Sequence, residues 1–231
     1  MRKHKPLWLM LILTIFCFSF ALQVSAEGVA DYSTMPVSPQ EMVDFLNRIN
    51  FQSISEMSEG QMILSFAISE QGKIALAVET PKDVQIGVYD PNGTFLYGYS
   101  FSNGGSAFVV FFDGEFVSIN WAKSGYVGSF DSQGNCIQFA REDGSRKNSE
   151  LFQSHRNRPR SGTVGSLTYH TEGPWLSWQC WRFVIEDSTG NQKVLHDASQ
   201  HQSVLWPIGA VGFIGFFSVL IHQKLKQDQN E

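Results

Sequence analysis

Phe66-Ala67-Ile68-Ser69-Glu70-Gln71-Gly72-Lys73-Ile74-Ala75-Leu76, followed by Ile86-Gly87-Val88-Tyr89-Asp90-Pro91-Asn92-Gly93-Thr94-Phe95-Leu96, is written a second time further along the chain. The second version reads Phe108-Val109-Val110-Phe111-Phe112-Asp113-Gly114-Glu115-Phe116-Val117-Ser118-Ile119, then Val127-Gly128-Ser129-Phe130-Asp131-Ser132-Gln133-Gly134-Asn135-Cys136-Ile137. Gly72 matches Gly114 at a shift of 42; Tyr89-Asp90 matches Phe130-Asp131, and Gly93 matches Gly134, at a shift of 41. Within each copy apolar residues recur with period two, the signature of strands. The pattern predicts strands at 62–68, 73–79, 84–90 and 95–101, then at 107–112, 115–121, 126–131 and 136–140. Asp90-Pro91-Asn92-Gly93 fits a type I turn ending in a bulge: Asp at the first position, Pro at the second, Gly in the left-handed site. Asp131-Ser132-Gln133-Gly134 repeats that logic. The Asp-x-Asn-Gly start of a calcium loop lacks the remaining ligand ladder here, so both segments read as turns.

A third, degenerate unit occupies 164–203. Ser166 to His170 would be its first strand, Arg182 to Gly190 its version of the Asp-Gly turn, and Val194 to Asp197 its last strand. An insertion, 142–163, separates it from the others. It is polar and locally basic at His155 to Gly162, and reads as a solvated loop or a contact site for an acidic partner. Trp175, Trp178 and Trp181 lie within seven residues. Read as a strand, Trp178 faces one way and Trp175 and Trp181 the other. The three are candidate ligand-binding residues, as core and capping side chains, a sugar-stacking platform or a partner interface.

Upstream of the first unit, 27–61 is an N-terminal segment whose opening residues, 27–37, look unstructured. Ser38-Pro39-Gln40-Glu41 is a capping box with Pro at the first helical position. Met42, Phe45, Leu46 and Ile49 follow at helical spacing, predicting a helix over 39–49. The ends of the chain set the compartment. Residues 1–26 read as a signal peptide, with a basic start, an apolar run and Val24-Ser25-Ala26 before Glu27. Residues 204–222 read as a transmembrane helix and 223–231 as a cytoplasmic tail. Lys224 and Lys226 place that tail inside. The expected product is a single-pass membrane protein with its body extracytoplasmic. Residues 27–203 carry 12 Lys and Arg against 20 Asp and Glu. That balance argues against a nucleic-acid partner. Cys136 and Cys180 are the cysteines downstream of the leader. They are open to one disulfide or to service as small hydrophobes in strands.

The aromatic-Asp-x-x-Gly turns, each followed by an apolar strand, resemble the blades of NHL- and WD-type β-propellers over roughly 60–141, and more loosely over 166–197. The resemblance implies an all-β fold of antiparallel four-stranded, propeller-like blades in an incomplete or open ring, to which the capping box adds one short N-terminal helix and the apolar run a C-terminal transmembrane helix. Closed propellers need about four blades, and 27–203 holds about three and a half. Segment 51–56 or oligomerisation could complete the ring. The layout is also similar to that of small membrane-anchored proteins of Gram-positive bacteria, on Ser38-Pro39 and Phe95-Leu96-Tyr97-Gly98-Tyr99-Ser100-Phe101. That likeness brings no activity and no site with it.

Catalytic signatures are missing. There is no His-Glu-x-x-His, Gly-x-Ser-x-Gly, phosphate-binding glycine loop or Cys-x-x-Cys. His155, His170, His196 and His201 are scattered, without a second ligand at metal spacing. No enzyme activity, cofactor or metal is expected. The sequence reading is a membrane-anchored extracytoplasmic β-repeat module with a protein-binding or scaffolding role in the cell envelope. Its partners would be membrane lipid around the C-terminal helix and a protein or a second copy. The alternative is glycan or cell-wall binding through the tryptophan cluster.

Overall fold

The computed structural model describes residues 29–58, 62–173, 180–187 and 189–199. The predicted signal peptide, transmembrane helix and tail lie outside them, as do Trp175 and Trp178. No helix among the described residues is long and apolar enough to cross a membrane.

The fold is mostly β, in three antiparallel sheets. The middle sheet contains β3 (Ile63–Ile68), β4 (Ile74–Glu79), β5 (Val84–Tyr89) and β6 (Phe95–Phe101) as a meander. The short β2 (Gln52–Ile54) adds to β6 as a fifth strand. The second sheet repeats this plan with β7 (Phe108–Asp113), β8 (Phe116–Trp121), β9 (Tyr126–Phe130) and β10 (Cys136–Glu142). Here the fifth strand is β1 (Thr34–Pro36), on β10. The third sheet is the four-stranded meander β11 (Ser161–Val164), β12 (Leu167–Glu172), β13 (Arg182–Glu186) and β14 (Gln192–Asp197). Each predicted strand of the first two units falls within two residues of an observed one. Segment 51–56 does extend a sheet, through β2. Residues 27–37, expected to be unstructured, supply β1 and two buried side chains, Val29 and Tyr32.

The middle sheet is buried on both faces, which explains its uninterrupted apolar strands. Ala75, Ala77, Ile86 and Val88 face the second sheet, against Val110, Val117, Ile119 and Phe130. Ile74, Leu76 and Val78 face the third, against Tyr169, Phe183 and Ile185. Alternation along β4 therefore separates alanines on one face from large aliphatics on the other. The sheets also touch along their first strands. The Val110 N–H donates to Ser65 Oγ at 2.9 Å. Ile63 and Cys180 exchange two backbone bonds, at 2.7 and 3.2 Å.

The insertion expected to be a loop is in part a helix. Arg146–Arg156 forms α2, with Ser145 as N-cap and Phe152 buried. α1 is the predicted helix, Pro39–Arg48. α2 covers the far face of the second sheet with Val29 and Tyr32, over Val109, Phe111 and Val127. Its polar composition hid this, because few side chains anchor it. Asn148 is one: its amide donates to Ser33 O at 2.7 Å and accepts from Ser33 N at 2.8 Å, so it acts as a strand partner for β1's lead-in. Beyond α2 the chain crosses to the third sheet, where Thr171 N–H donates to Arg160 O at 2.7 Å.

The three Asp-Gly turns have one hydrogen-bond pattern. Asp90 Oδ1 accepts from Asn92 N and Thr94 N at 2.9 and 2.7 Å. Asp131 Oδ1 accepts from Gln133 N and Asn135 N at 2.9 and 2.8 Å. Asp187 Oδ1 accepts from Thr189 N and Asn191 N at 2.8 and 3.0 Å. Gly93, Gly134 and Gly190 all take positive φ, at 74, 83 and 84°. Cys136 and Cys180 do not form a disulfide. Cys136 packs between the middle and second sheets, and burial pushes its thiol up to about 12. Cys180 lies between the middle and third sheets.

Candidate functional site

A cleft of about 310 Å³ opens where α1, the β6–β7 loop and the β8–β9 turn converge. Its floor is aromatic. Phe45 of α1 packs edge-on to Trp121 at 5.2 Å, and Trp121 meets Phe101 at 5.7 Å. Arg48 and Lys123 stand at its rim with Ser102, Ser106 and Ser124.

Local sequence places each group. Ser38 Oγ accepts from Glu41 N at 3.2 Å and starts α1. Asn50, with φ at 50°, ends it in a Schellman arrangement. Phe51 N–H donates to Leu46 O at 2.9 Å, and Asn50 N–H to Asn47 O at 3.0 Å. Ser102 N–H takes Ile49 O at 2.6 Å, so helix-end carbonyls are consumed by the chain itself. The Arg48 guanidinium lies 5.2 Å from the centre of the Phe45 ring, a cation–π geometry that holds it over the floor. Gly104 and Gly105 form the tip of the β6–β7 loop with φ of 55 and 72°, and no atom of the described residues lies within 4 Å of where a Cβ would project. That rim has room to adjust.

Two buried polar atoms of cleft residues lack partners among the described residues. Trp121 is only 4 % exposed, and its indole Nε1 makes no hydrogen bond; neither does the buried Oδ1 of Asn103. The Trp121 carbonyl, by contrast, is saturated by Ser124 N, Gly125 N and Ser124 Oγ. A buried donor left unpaired costs about 1–3 kcal/mol, and both atoms are shut off from the solvent of the cleft. Among the described residues neither Arg48 nor Lys123 has an ion-pair partner.

A second polar cluster lies beneath α2. Asn120 donates to the Glu142 carboxylate, and the Tyr32 hydroxyl sits beside Asn120 without closing a bond. His155 stacks on Phe111 at 4.6 Å and 10°, and its Nδ1 is 3.0 Å from Arg158 Nη2. Burial, aided by Arg158, pushes His155 down to about 4; burial raises Glu142 above the usual carboxylate range. Tyr32 is 1 % and Asn120 0 % exposed, so this cluster is interior structure.

Of the three candidate tryptophans, Trp181 alone is described. It is half-buried at the bend before β13, its N–H donating to Glu172 O and its carbonyl accepting from Ala198 N, both at 2.8 Å. Trp121 was missed because inside Ser118-Ile119-Asn120-Trp121 it reads as one more core position of a strand. Only the missing partner of its indole distinguishes it. No group of three or more His, Cys, Asp or Glu side chains suited to a metal occurs among the described residues. No protein-family model matches the chain, and no curated protein matches it.

Proposed function

We propose that this chain is a membrane-anchored, extracytoplasmic β-repeat module that binds a protein partner in the cell envelope and has no catalytic role. Its three meanders are propeller-like blades, with α2 standing in for a further blade beside the second sheet. The observation that carries the binding reading is the lining of the cleft. Two cations and three hydroxyls line it over an aromatic floor, and among the described residues no carboxylate or imidazole lines it to move a proton. Such a set holds a ligand by complementary hydrogen bonds and charge. Both faces of the middle sheet are consumed by its neighbours, which leaves loops and turns as recognition surface.

The test is a cross-linked pull-down of the full-length chain from its native membrane, compared with an Arg48→Glu, Lys123→Glu variant. One or two stoichiometric partners, lost in the variant, are expected. Recovery of self-cross-links alone would replace partner binding with self-assembly. Retention on cell-wall polysaccharide that depends on Trp175 and Trp178 would replace it with the glycan reading.

A further inference from the structure

Resting on the membrane-anchored reading above, we infer that the end of the three sheets that carries the cleft docks on an anionic lipid surface. The sheets present their ends in common. At one end the β3–β4 turn meets the β7–β8 turn through the Lys73–Glu115 ion pair. There too Lys193, beside the third sheet's Asp-Gly turn, donates to Asn92 O of the middle sheet's turn at 3.0 Å. At the other end Phe101, the last residue of β6, packs on Phe108 and Trp121 at 5.3 and 5.7 Å. Cys180, leading into β13, exchanges its two backbone bonds there with Ile63, the first residue of β3. The chain leaves the fold at this second end. Asp197, the last residue of β14, lies opposite Arg182, and Ala198 N–H is still bonded to Trp181 O at 2.8 Å. Five residues, 199–203, then separate Ala198 from the predicted span at Val204. Fully extended they reach at most about 20 Å, so this end stays close to the headgroups.

Charge divides between the same two ends. Among the described residues, the connections at the tethered end hold Lys82, Lys123, Arg158 and Arg160 against Asp83 and Asp143. α2 leaves and rejoins the sheets at that end, and adds three Lys and Arg residues against Glu150. The connections at the far end hold Glu70, Asp90, Glu115, Asp131 and Asp187 against Lys73 alone. Arg48, Lys82 and Lys123 are exposed and have no ion-pair partner among the described residues. Glu79 at the end of β4 offsets Lys82 in part, whereas Glu172 and Asp197, beside the exit, are paired with Arg182. In a body that is acidic as a whole, this segregated field turns the basic end toward an anionic plane and the acidic turns away from it. Headgroups meet the cations one by one, so no shared pocket is needed, and the attraction acts within about 8–10 Å. A protein held at the cleft must then approach along the membrane, which narrows the partner to a membrane or membrane-attached protein.

The experiment uses the full-length chain in lipid nanodiscs, without partner proteins. The discs are phosphatidylcholine alone, or phosphatidylcholine with about one-third phosphatidylglycerol. A donor fluorophore is attached at Ser106→Cys on the tethered end or at Gln71→Cys on the far end, with the unsubstituted chain as labelling blank. Energy transfer is read to an acceptor on the lipid headgroups, and co-flotation with lipid checks incorporation. Transfer from position 106 is expected to exceed that from 71, and to rise about twofold when phosphatidylglycerol is present. Lys82→Glu with Lys123→Glu, or about 0.5 M salt, should return it to the phosphatidylcholine value. Lys193→Glu, the same charge change at the far end, should leave it unaltered. Equal transfer from the two positions, or more from 71, would overturn the docking. So would transfer from 106 that ignores lipid charge, salt and both lysines, since the tether alone would then set the orientation. If the chain fails to float with lipid, the membrane-anchored reading falls and this inference with it. If it floats and the charge dependence is missing, the docking falls and the anchor stands.

Discussion

Gly93, Gly134 and Gly190 occupy the same place in three turns with the same hydrogen bonds, but their surroundings differ. A Cβ on Gly93 would lie 2.4 Å from Leu195 Cδ2, with Lys193 Cδ and Ile185 Cδ1 at 3.1 and 3.2 Å. The turn of the middle sheet is thus pressed onto the third sheet. A Cβ on Gly134 would lie 2.1 Å from Ser53 Oγ, whose hydroxyl donates to Gln133 O at 2.7 Å. The second sheet's turn is pressed onto β2 in the same sense. Among the described residues, a Cβ on Gly190 would meet nothing within 4 Å. Since φ is 74 to 84° at all three, the left-handed backbone cost of alanine, about 1–2 kcal/mol, is common to them. Overpacking adds about 1–3 kcal/mol at 93 and 134 alone. Gly190→Ala should therefore cost about 1–2 kcal/mol, and Gly93→Ala and Gly134→Ala about 2–5 kcal/mol each. Urea unfolding of the full-length chain in micelles, followed by circular dichroism, measures the order of midpoints. Three equal losses would refute the packing of one sheet's turn on the next.

Tyr99, fully buried, donates its hydroxyl to Asp131 O at 2.5 Å and so pins the second sheet's turn to the middle sheet. Tyr99→Phe should lower stability by about 1–2 kcal/mol in the same unfolding assay. Asn148→Ala removes both bonds to Ser33 and should release β1, seen as faster amide exchange at Thr34 to Pro36's neighbours on β10, with a loss of about 2 kcal/mol. His155 is held neutral in the folded chain, with its pKa pushed below the unfolded value to about 4 by burial. The unfolded state binds the extra proton between about 6.5 and 4, so this residue's stabilisation is complete above that window and is lost as pH falls through it. Glu142, raised by burial, acts in the opposite direction, and Asp31 partly offsets the shift of His155. The difference between wild type and His155→Phe isolates the histidine; it should shrink toward low pH by about 2 kcal/mol after allowing for partial exposure.

Strand boundaries in 62–142 were legible because each strand combines period-two alternation with a turn whose residues have one conformational use. Asp-Pro-Asn-Gly leaves little else to form. The capping box and the Met42, Phe45, Leu46, Ile49 face made α1 equally readable. α2 was not, since Asn148 does its anchoring through two bonds from its side-chain amide to the backbone of a residue 115 positions away. β1 and β2 were hidden for a related reason. Three-residue edge strands gain their order from the sheet they join, through registers such as Met35 with Arg141 and Ser53 with Tyr99. The cleft was the least legible feature. Arg48 lies at a helix end, Asn103 in a glycine loop and Lys123 in a tight turn, and only the stacking of two sheets brings them around Trp121. The tryptophan cluster stands out by composition, while Trp121 sits in an ordinary strand.

The most direct measurement is site-specific photo-cross-linking in the native membrane. A photoreactive side chain replaces Ser106 at the cleft rim in one strain and the exposed Thr168 on the third sheet in another. A binding module that uses the cleft gives one discrete protein adduct from position 106, abolished by adding Lys123→Glu, and none from position 168. An adduct from 168 with none from 106, or one from 106 indifferent to Lys123, would contradict it.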